Sequence, residues 1–201
     1  MNPYQDLNKK ITNKSAVITI VGVGYVGLGL LNEFSKKGYK TYGLDINLKK
    51  LKGFTFNKKI TLTKDYKIIK KSDVIIITLP TPLNEQLNPD LSIIKKSIKE
   101  MKDYLKRGQM ISFESTTYPG STKELFFPIL SKNFVLGNDF FLVYSPERVS
   151  PEFKTKEINL KYGLTNTPKI VSGFSNNCRS LGHNLYKKII SKIVKDRKSV
   201  V

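Results

Sequence analysis

A single cysteine, Cys178, stands in a chain of 201 residues, so no internal disulfide can form, which fits a reducing, cytoplasmic setting. No run approaches the ~20 consecutive apolar residues of a membrane-spanning helix. The segment Met1 to Lys14 is polar and lacks the hydrophobic centre of a signal peptide. A cytoplasmic protein without membrane association is therefore expected. Acidic residues are scarce: 16 Asp and Glu against 35 Lys and Arg give a formal net charge of +19. Such an excess suits an anionic partner. The lysines are nevertheless spread almost evenly among many Asn and Ile, and no basic run interleaved with aromatics occurs. The spread reads as compositional bias, and no nucleic-acid partner is expected. The length suffices for one well-cored domain and falls short of two of ordinary size.

What the chain does carry is AVITIVGVGYVG, Ala16 to Gly27. A short run rich in β-branched residues feeds into Gly22-Val23-Gly24-Tyr25-Val26-Gly27, a G-x-G-x-x-G opening a helical pattern. In that arrangement Gly22 serves the tight turn, Gly24 lets backbone approach a pyrophosphate, and Gly27 allows close packing of helix on strand. The helix start offers free N–H groups and a positive dipole end to phosphate. Glycines in a strand-to-helix turn can also be plain turn glycines, and the context decides. Val26, Leu30 and Phe34 recur at spacing four, Gly38 stops the helix, and Tyr39 to Leu44 reads as a second strand ending in Asp45. Asp45 lies 23 positions after Gly22, close to the roughly 20-residue offset of an acid that binds an adenine ribose. An acid there favours NAD over NADP, because a 2′-phosphate would meet a carboxylate; Lys49 and Lys50 pull the other way.

Beyond Asp45 the pattern predicts a short helix within Leu48 to Phe56, a short strand at Ile60 to Thr63 and a helical turn or two in Lys64 to Lys71. Asp73 to Leu79 is a continuous apolar run of the kind buried on both faces of a parallel sheet, ending in a loop at Pro80 to Asn84. Asp90 is placed to cap a long helix from Leu91 to Arg107. A strand at Met110 to Glu114 follows, then a helix for which Ser121 and Glu124 spell a capping box and which Pro128 must kink or shorten. Phe140 to Tyr144 and Ile170 to Ser172 read as further strands. The last helix starts near Ser175, with Cys178, Leu181, Leu185, Ile189 and Ile193 on one side. Strands alternating with helices predict an α/β fold, a doubly wound, mostly parallel sheet with helices on both faces. Ligands of such sheets bind beyond the carboxyl ends of the strands, where Gly22 to Gly27, Thr81, Ser115 with Thr116, and Glu147 all fall.

With those clusters in view the chain resembles the UDP-glucose/GDP-mannose dehydrogenase family, in its N-terminal NAD-binding, Rossmann-type domain. Within it the likeness is to the branch acting on UDP-N-acetylglucosamine and UDP-N-acetylmannosamine. GVGYVGLGL (Gly22 to Leu30), LPTPLN (Leu79 to Asn84), ESTTYPGST (Glu114 to Thr122), YSPERVSPE (Tyr144 to Glu152) and PKIVSG (Pro168 to Gly173) carry it, over roughly residues 15 to 194. The resemblance implies oxidation of a sugar C6 alcohol to a carboxylate by two hydride transfers to NAD, through a thiohemiacetal and a thioester on a cysteine. It implies that Gly22, Val23, Gly24, Tyr25, Val26 and Gly27 hold the pyrophosphate, and that Asp45 with Lys50 holds the adenosine half. Thr81 and Thr116 would line the cofactor and reaction centre, Thr116 helping to place a water. Glu147 would be the base of thioester hydrolysis and, with Arg148 and Val149, touch the UDP-sugar. The resemblance implies no metal site and a homo-oligomeric parent enzyme. On the residues alone, Thr81 and Thr116 could equally cap backbone in their loops, and Glu147 could be a solvated charge or a partner for Arg148.

Several departures qualify the likeness. The family's sugar-binding lysine and asparagine and its nucleophilic cysteine lie in parts this sequence does not contain. Cys178 falls where the family often has a packed cysteine, and a reactive role for it is the lesser expectation. The ending KDRKSVV also departs from the family, as a truncated, frameshifted or naturally split protein would. The Asp45 to Asp73 region is short, Gly29 and Ser172 replace a usual proline and glycine, and Pro151 stands where the UDP-glucose branch has a glutamate. The expected organisation is a polar N-terminal extension (1–14), the NAD-binding domain (15–174), and a C-terminal helix starting a linker (175–201). The leading expectation is a cofactor domain that binds NAD but cannot turn over alone. A non-catalytic remnant or interaction module of the same fold is the alternative, and a basic nucleic-acid binder ranks last.

Overall fold

The computed structural model describes residues 2–147 and 164–196. Its centre is β4 (Val74–Ile77), whose four residues are all buried. Side chains alternate across a strand, so Val74 and Ile76 enter one core, and Ile75 and Ile77 the other. That two-sided burial is why the strand reads as an uninterrupted apolar run. β1 (Val17–Val21) pairs with it on one side and β5 (Met110–Phe113) on the other, both parallel. Outward from β1 come β2 (Lys40–Leu44) and β3 (Ile60–Thr63), and outward from β5 comes β6 (Phe141–Tyr144), all parallel.

Helices cover both faces of this sheet, as expected. The first face carries α2 (Tyr25–Lys36) and α5 (Asn176–Tyr186), with Leu30, Leu31, Phe34, Leu181 and Leu185 buried against Ile18, Ile20 and Val143. The second carries α3 (Ser92–Met101) and α4 (Ser121–Leu130), with Ile94, Ile98, Phe126 and Leu130 buried against Ile75, Ile77 and Leu142. Gly38, with a φ of 101°, ends α2 where the pattern placed its stop. No helix among the described residues is long and apolar enough to cross a membrane.

Four details differ from the sequence expectations, each for a local reason. The N-terminal segment is not a polar extension. Residues Pro3–Thr12 form α1, with Pro3 at its first position and Asn2 capping the Tyr4 N–H at 3.0 Å. Leu7 and Ile11, one turn apart, bury their side chains in the first core, and Lys10 pairs with Asp73 at 3.1 Å. Six polar or charged neighbours mask two apolar anchors, and two suffice for so short a helix.

The second difference lies at the other end. α5 stops at Tyr186, and Ile193, expected on that helix, belongs instead to β8 (Ile193–Lys195), a strand parallel to β7 (Lys169–Gly173). β7 itself runs antiparallel to β6, which completes the order β3-β2-β1-β4-β5-β6-β7-β8. Third, the capping box does not form: Gly120, in a left-handed conformation, precedes α4, the Ser121 hydroxyl donates to Thr117 Oγ1, and Glu124 accepts from the Tyr118 hydroxyl at 2.6 Å. Fourth, α3 is shorter than Leu91 to Arg107. It tightens into a 3₁₀ turn at Lys102–Tyr104, while Asp90 does accept from the Ser92 N–H at 2.8 Å.

If α1 is part of the core, Ile11→Ala should lower the unfolding free energy by about 2–4 kcal/mol, the usual cost of emptying a buried aliphatic site. Urea denaturation followed by circular dichroism measures this, and an unchanged midpoint would return the segment to the status of a tail.

Candidate functional site: a glycine elbow and the crest of the sheet

The order of the strands reverses between β1 and β4, one leading outward to β2 and β3, the other to β5 and β6. The gap between their carboxyl ends is where an open sheet accepts a ligand. β1 enters it through Gly22, whose φ of 94° suits glycine alone and whose N–H donates to Leu44 O at 2.8 Å. Thr78, just past β4, donates its hydroxyl to Gly22 O at 2.7 Å and so ties the two strand ends together. α2 then settles on the elbow. A Cβ on Gly27 would stand 2.0 Å from Gly22 O and 2.7 Å from Thr78 Oγ1, so only a residue without one allows this approach. Gly24 is the opposite case: a Cβ there would meet nothing within 4 Å. It is the N-cap of α2, and no side chain caps that helix, which leaves first-turn N–H groups for an outside acceptor. Val23 is buried, Val26 partly so, and Tyr25 stands mostly in solvent.

Asp45 follows β2 and is nearly buried. Its Oδ2 accepts from the Val23 N–H at 2.7 Å and from Lys50 Nζ at 2.6 Å, and its Oδ1 accepts from the Asn47 N–H at 2.8 Å. Burial works against ionising this carboxyl, but the bonds from Lys50, Asn47 and Val23 outweigh it and hold its pKa below the ordinary aspartate value. The elbow, Asp45 and Lys50 share one cavity of about 760 Å³, lined also by Val21, Leu79, Tyr66 and Ile93. That volume lies within the ordinary range of small-molecule sites. Asp45 and Lys50, expected to act side by side, are in fact bonded to each other; the 3₁₀ turn Leu48–Leu51 swings the lysine back.

The other expected residues gather elsewhere on the crest. Thr81 is half-buried beyond β4 and Thr116 is exposed beyond β5, and neither lines the cavity. The loops that bear them are joined, Ser115 Oγ donating to Leu79 O at 2.6 Å. Glu147 follows β6 and pairs with Lys169 at 3.0 Å. Lys169 also pairs with the fully buried Glu114 at 2.9 Å. Glu147 is thus neither a free surface charge nor defined by Arg148. Arg148 and Val149 lie outside the described residues, as does Pro151. Cys178 is buried in α5, its sulfur near the Leu142 N–H at 3.4 Å and the Ser175 hydroxyl at 3.3 Å, which is a packed thiol. Reading by residue missed Glu114, Lys169, Tyr186 and Thr78. The first two sat inside quoted motifs, but nothing in the sequence pairs them across 55 positions.

A glycine elbow, an uncapped helix tip and an acid on the neighbouring strand, set at the reversal of a doubly wound sheet, define a dinucleotide-binding Rossmann domain. Comparison with known proteins narrows the class. The chain belongs to the UDP-glucose/GDP-mannose dehydrogenase family, whose NAD binding domain matches residues 51–190. It is 36% identical over 191 residues to UDP-N-acetyl-D-glucosamine 6-dehydrogenase of Salmonella typhi, covering 87% of this chain and 43% of that relative. It is 29% identical over 195 residues to UDP-N-acetyl-D-mannosamine dehydrogenase of Pyrococcus horikoshii, with 86% and 44% covered. The solved UDP-N-acetyl-mannosamine dehydrogenase of Staphylococcus aureus superposes with a TM-score of 0.79 at 26% identity, over 92% of this chain and 48% of that one. The chain therefore spans somewhat less than half the length of these relatives. NAD is the cofactor of the domain, and the residues at the elbow fit it: space stands open above Gly24 where a phosphate would come, and unclaimed donors point there.

The two glycines should separate binding from folding. Gly24→Ala should leave stability within about 0.5 kcal/mol and weaken NAD at least about tenfold, because its methyl fills only the ligand's space. Gly27→Ala should instead destabilise the fold by about 1–3 kcal/mol or more through overpacking. Thermal melts alongside NAD titration distinguish the two, and similar behaviour of both variants would contradict the geometry.

Proposed function

We propose that this chain is the cofactor half of a nucleotide-sugar 6-dehydrogenase that oxidises a UDP-N-acetylhexosamine to its uronate for surface polysaccharide synthesis in the cytoplasm. The observation that carries the reading is the elbow with its uncapped helix tip beside Asp45. The names of the relatives support the sugar class. Bound NAD supplies the hydride acceptor. The residues of this chain hold and orient it: Gly22 and Gly24 bring backbone to the pyrophosphate, and the first turn of α2, at Tyr25 and Val26, donates N–H groups to it. Gly27 and the buried Val23 keep that turn in place. Asp45 accepts from the adenine ribose hydroxyls with Lys50 beside it, and Ile46, largely exposed at the cavity lip, offers an apolar surface to the base.

Thr81 and Thr116 flank the path from cavity to reaction centre, where Thr116 positions water. Glu147 takes the proton of that water, and Arg148 and Val149 contact the UDP-sugar. Cys178 does not serve as the nucleophile. It is the sole cysteine of the sequence and is buried on the inner side of α5. Turnover on this reading needs the part of the relatives that this chain does not span, and this chain by itself binds NAD without oxidising sugar.

Isothermal titration tests the reading: NAD should bind, Asp45→Ala should weaken it at least about tenfold, a 1.4 kcal/mol loss, and UDP-N-acetylglucosamine with NAD should yield no NADH. Absence of binding by the unmodified chain would sink it. A pH series adds a check on Asp45. Because its folded pKa is depressed, what its ionised form contributes to binding and stability is present above the ordinary aspartate pKa of about 3.9 and disappears as pH falls through the lower folded value. NAD affinity should accordingly stay level from neutral pH to about 5. A decline already near pH 6 would point to another group.

A further inference from the structure

Away from the cofactor cavity, three strand ends converge on a buried ionic cluster. Glu114 follows β5, Glu147 follows β6, and Lys169 opens β7, with side-chain exposures of 0%, 12% and 4%. Lys169 Nζ lies 2.9 Å from Glu114 Oε2 and 3.0 Å from Glu147 Oε2, and 5.2 Å from the centroid of the Tyr186 ring. The Tyr186 hydroxyl bonds to Glu114 Oε1 and, at 2.7 Å, to Ser112 Oγ. The result is a hydrogen-bonded chain, Ser112–Tyr186–Glu114–Lys169–Glu147, from the middle of β5 to the crest. Backbone holds the same place: the Glu147 N–H donates to Glu114 O at 3.4 Å, and Ser145 Oγ donates to Ile170 O at 2.8 Å.

Stability alone is a poor reason for this arrangement. Burying an ion costs several kcal/mol even after relaxation, and apolar replacements of buried ion pairs are often neutral or stabilising. The cluster is graded, with Glu147 its least buried carboxylate and the rest sealed behind it. Each inner member removes a freedom from the next. The Tyr186 hydroxyl, itself held by Ser112, occupies one oxygen of Glu114, and the other oxygen holds Lys169. Burial of the Lys169 ammonium is outweighed by attraction to Glu114 and Glu147, which keeps it charged. Burial raises Glu114, with Lys169 opposing and Glu147 adding to the rise, and burial with Glu114 raises Tyr186 well above the ordinary tyrosine range.

We propose that Lys169, anchored from behind by Glu114 and Tyr186, is a positioning residue that fixes the place and orientation of the Glu147 carboxylate at the crest of the sheet. The consequence for chemistry rests on the reading of Glu147 as the carboxylate that activates water; the placement itself does not. The antiparallel course of β7 makes it feasible, since it presents the start of that strand to the ends of β5 and β6.

Nuclear magnetic resonance of the full, isotopically labelled chain without NAD tests it. In the unmodified protein the Lys169 ammonium should give a slowly exchanging signal coupled through hydrogen bonds to the carboxyl carbons of both glutamates. Lys169→Met should displace and broaden the Glu147 carboxyl signal, and Lys169→Arg should restore a single narrow one. Glu114→Gln, and the milder Tyr186→Phe should the former not fold, must disturb the Glu147 carboxyl signal through Lys169. A Glu147 signal unchanged in Lys169→Met, or in the folded inner variant while the melting temperature drops, reduces the cluster to core packing and overturns the proposal. Because NAD is absent from every sample, failure of NAD binding would count against the enzyme reading and leave this outcome standing.

Discussion

The approach of α2 to the end of β1 governs the rest of the molecule. Gly27 packs so closely on Gly22 O that any side chain would collide, and Thr78 bonds to the same carbonyl from β4. One oxygen thereby fixes the helix, the strand it follows and the strand beside it. From that junction follow the aim of the free helix tip, the depth of the cavity under it and the distance to Asp45, which reaches across to the Val23 N–H. A looser junction would leave the same motif in the sequence and no cradle in space, because backbone donors are useful to a phosphate only when their directions are set.

A second organising contact lies three strands away. Glu114, Lys169 and Glu147 bring together the ends of β5 and β6 and the start of β7, and Tyr186 of α5 closes the cluster from beneath. The domain thus has two polar centres on one crest. The first is built mainly from backbone and is open. The second is built from side chains and is largely closed, with a single carboxylate near the surface. Between them the loops after β4 and β5 carry Thr81 and Thr116, joined by the Ser115 hydroxyl. The division suits a site in which a cofactor is held by rigid backbone while a reacting group is held by charge.

Much of the fold was legible because its signals are local. The run at Asp73 to Leu79 announced a strand buried on both faces, and the stop at Gly38 announced a left-handed residue. Ile60 to Thr63 was found as a strand despite its neighbours being weakly patterned. The misreadings are also local in origin. Ile193 continued the spacing of α5, and period alone does not record that the chain had already turned. Ser121 and Glu124 have the spacing of a capping box, but Thr117 and Tyr118 compete for the same groups. Leu7 and Ile11 were outnumbered by polar residues, and a two-residue stripe falls below what composition registers.

By itself the sequence determined the strand-to-helix elbow, the acid at its fixed distance and the layered α/β architecture. Each of these depends on neighbours a few residues apart or on the periodicity of a single element. Only the tertiary structure decided that Lys50 turns back onto Asp45, that β7 runs against β6, and that a lysine, two glutamates and a tyrosine from four elements form one chain of hydrogen bonds. Burial and strand direction are properties of the assembled sheet, and no stretch of sequence carries them alone.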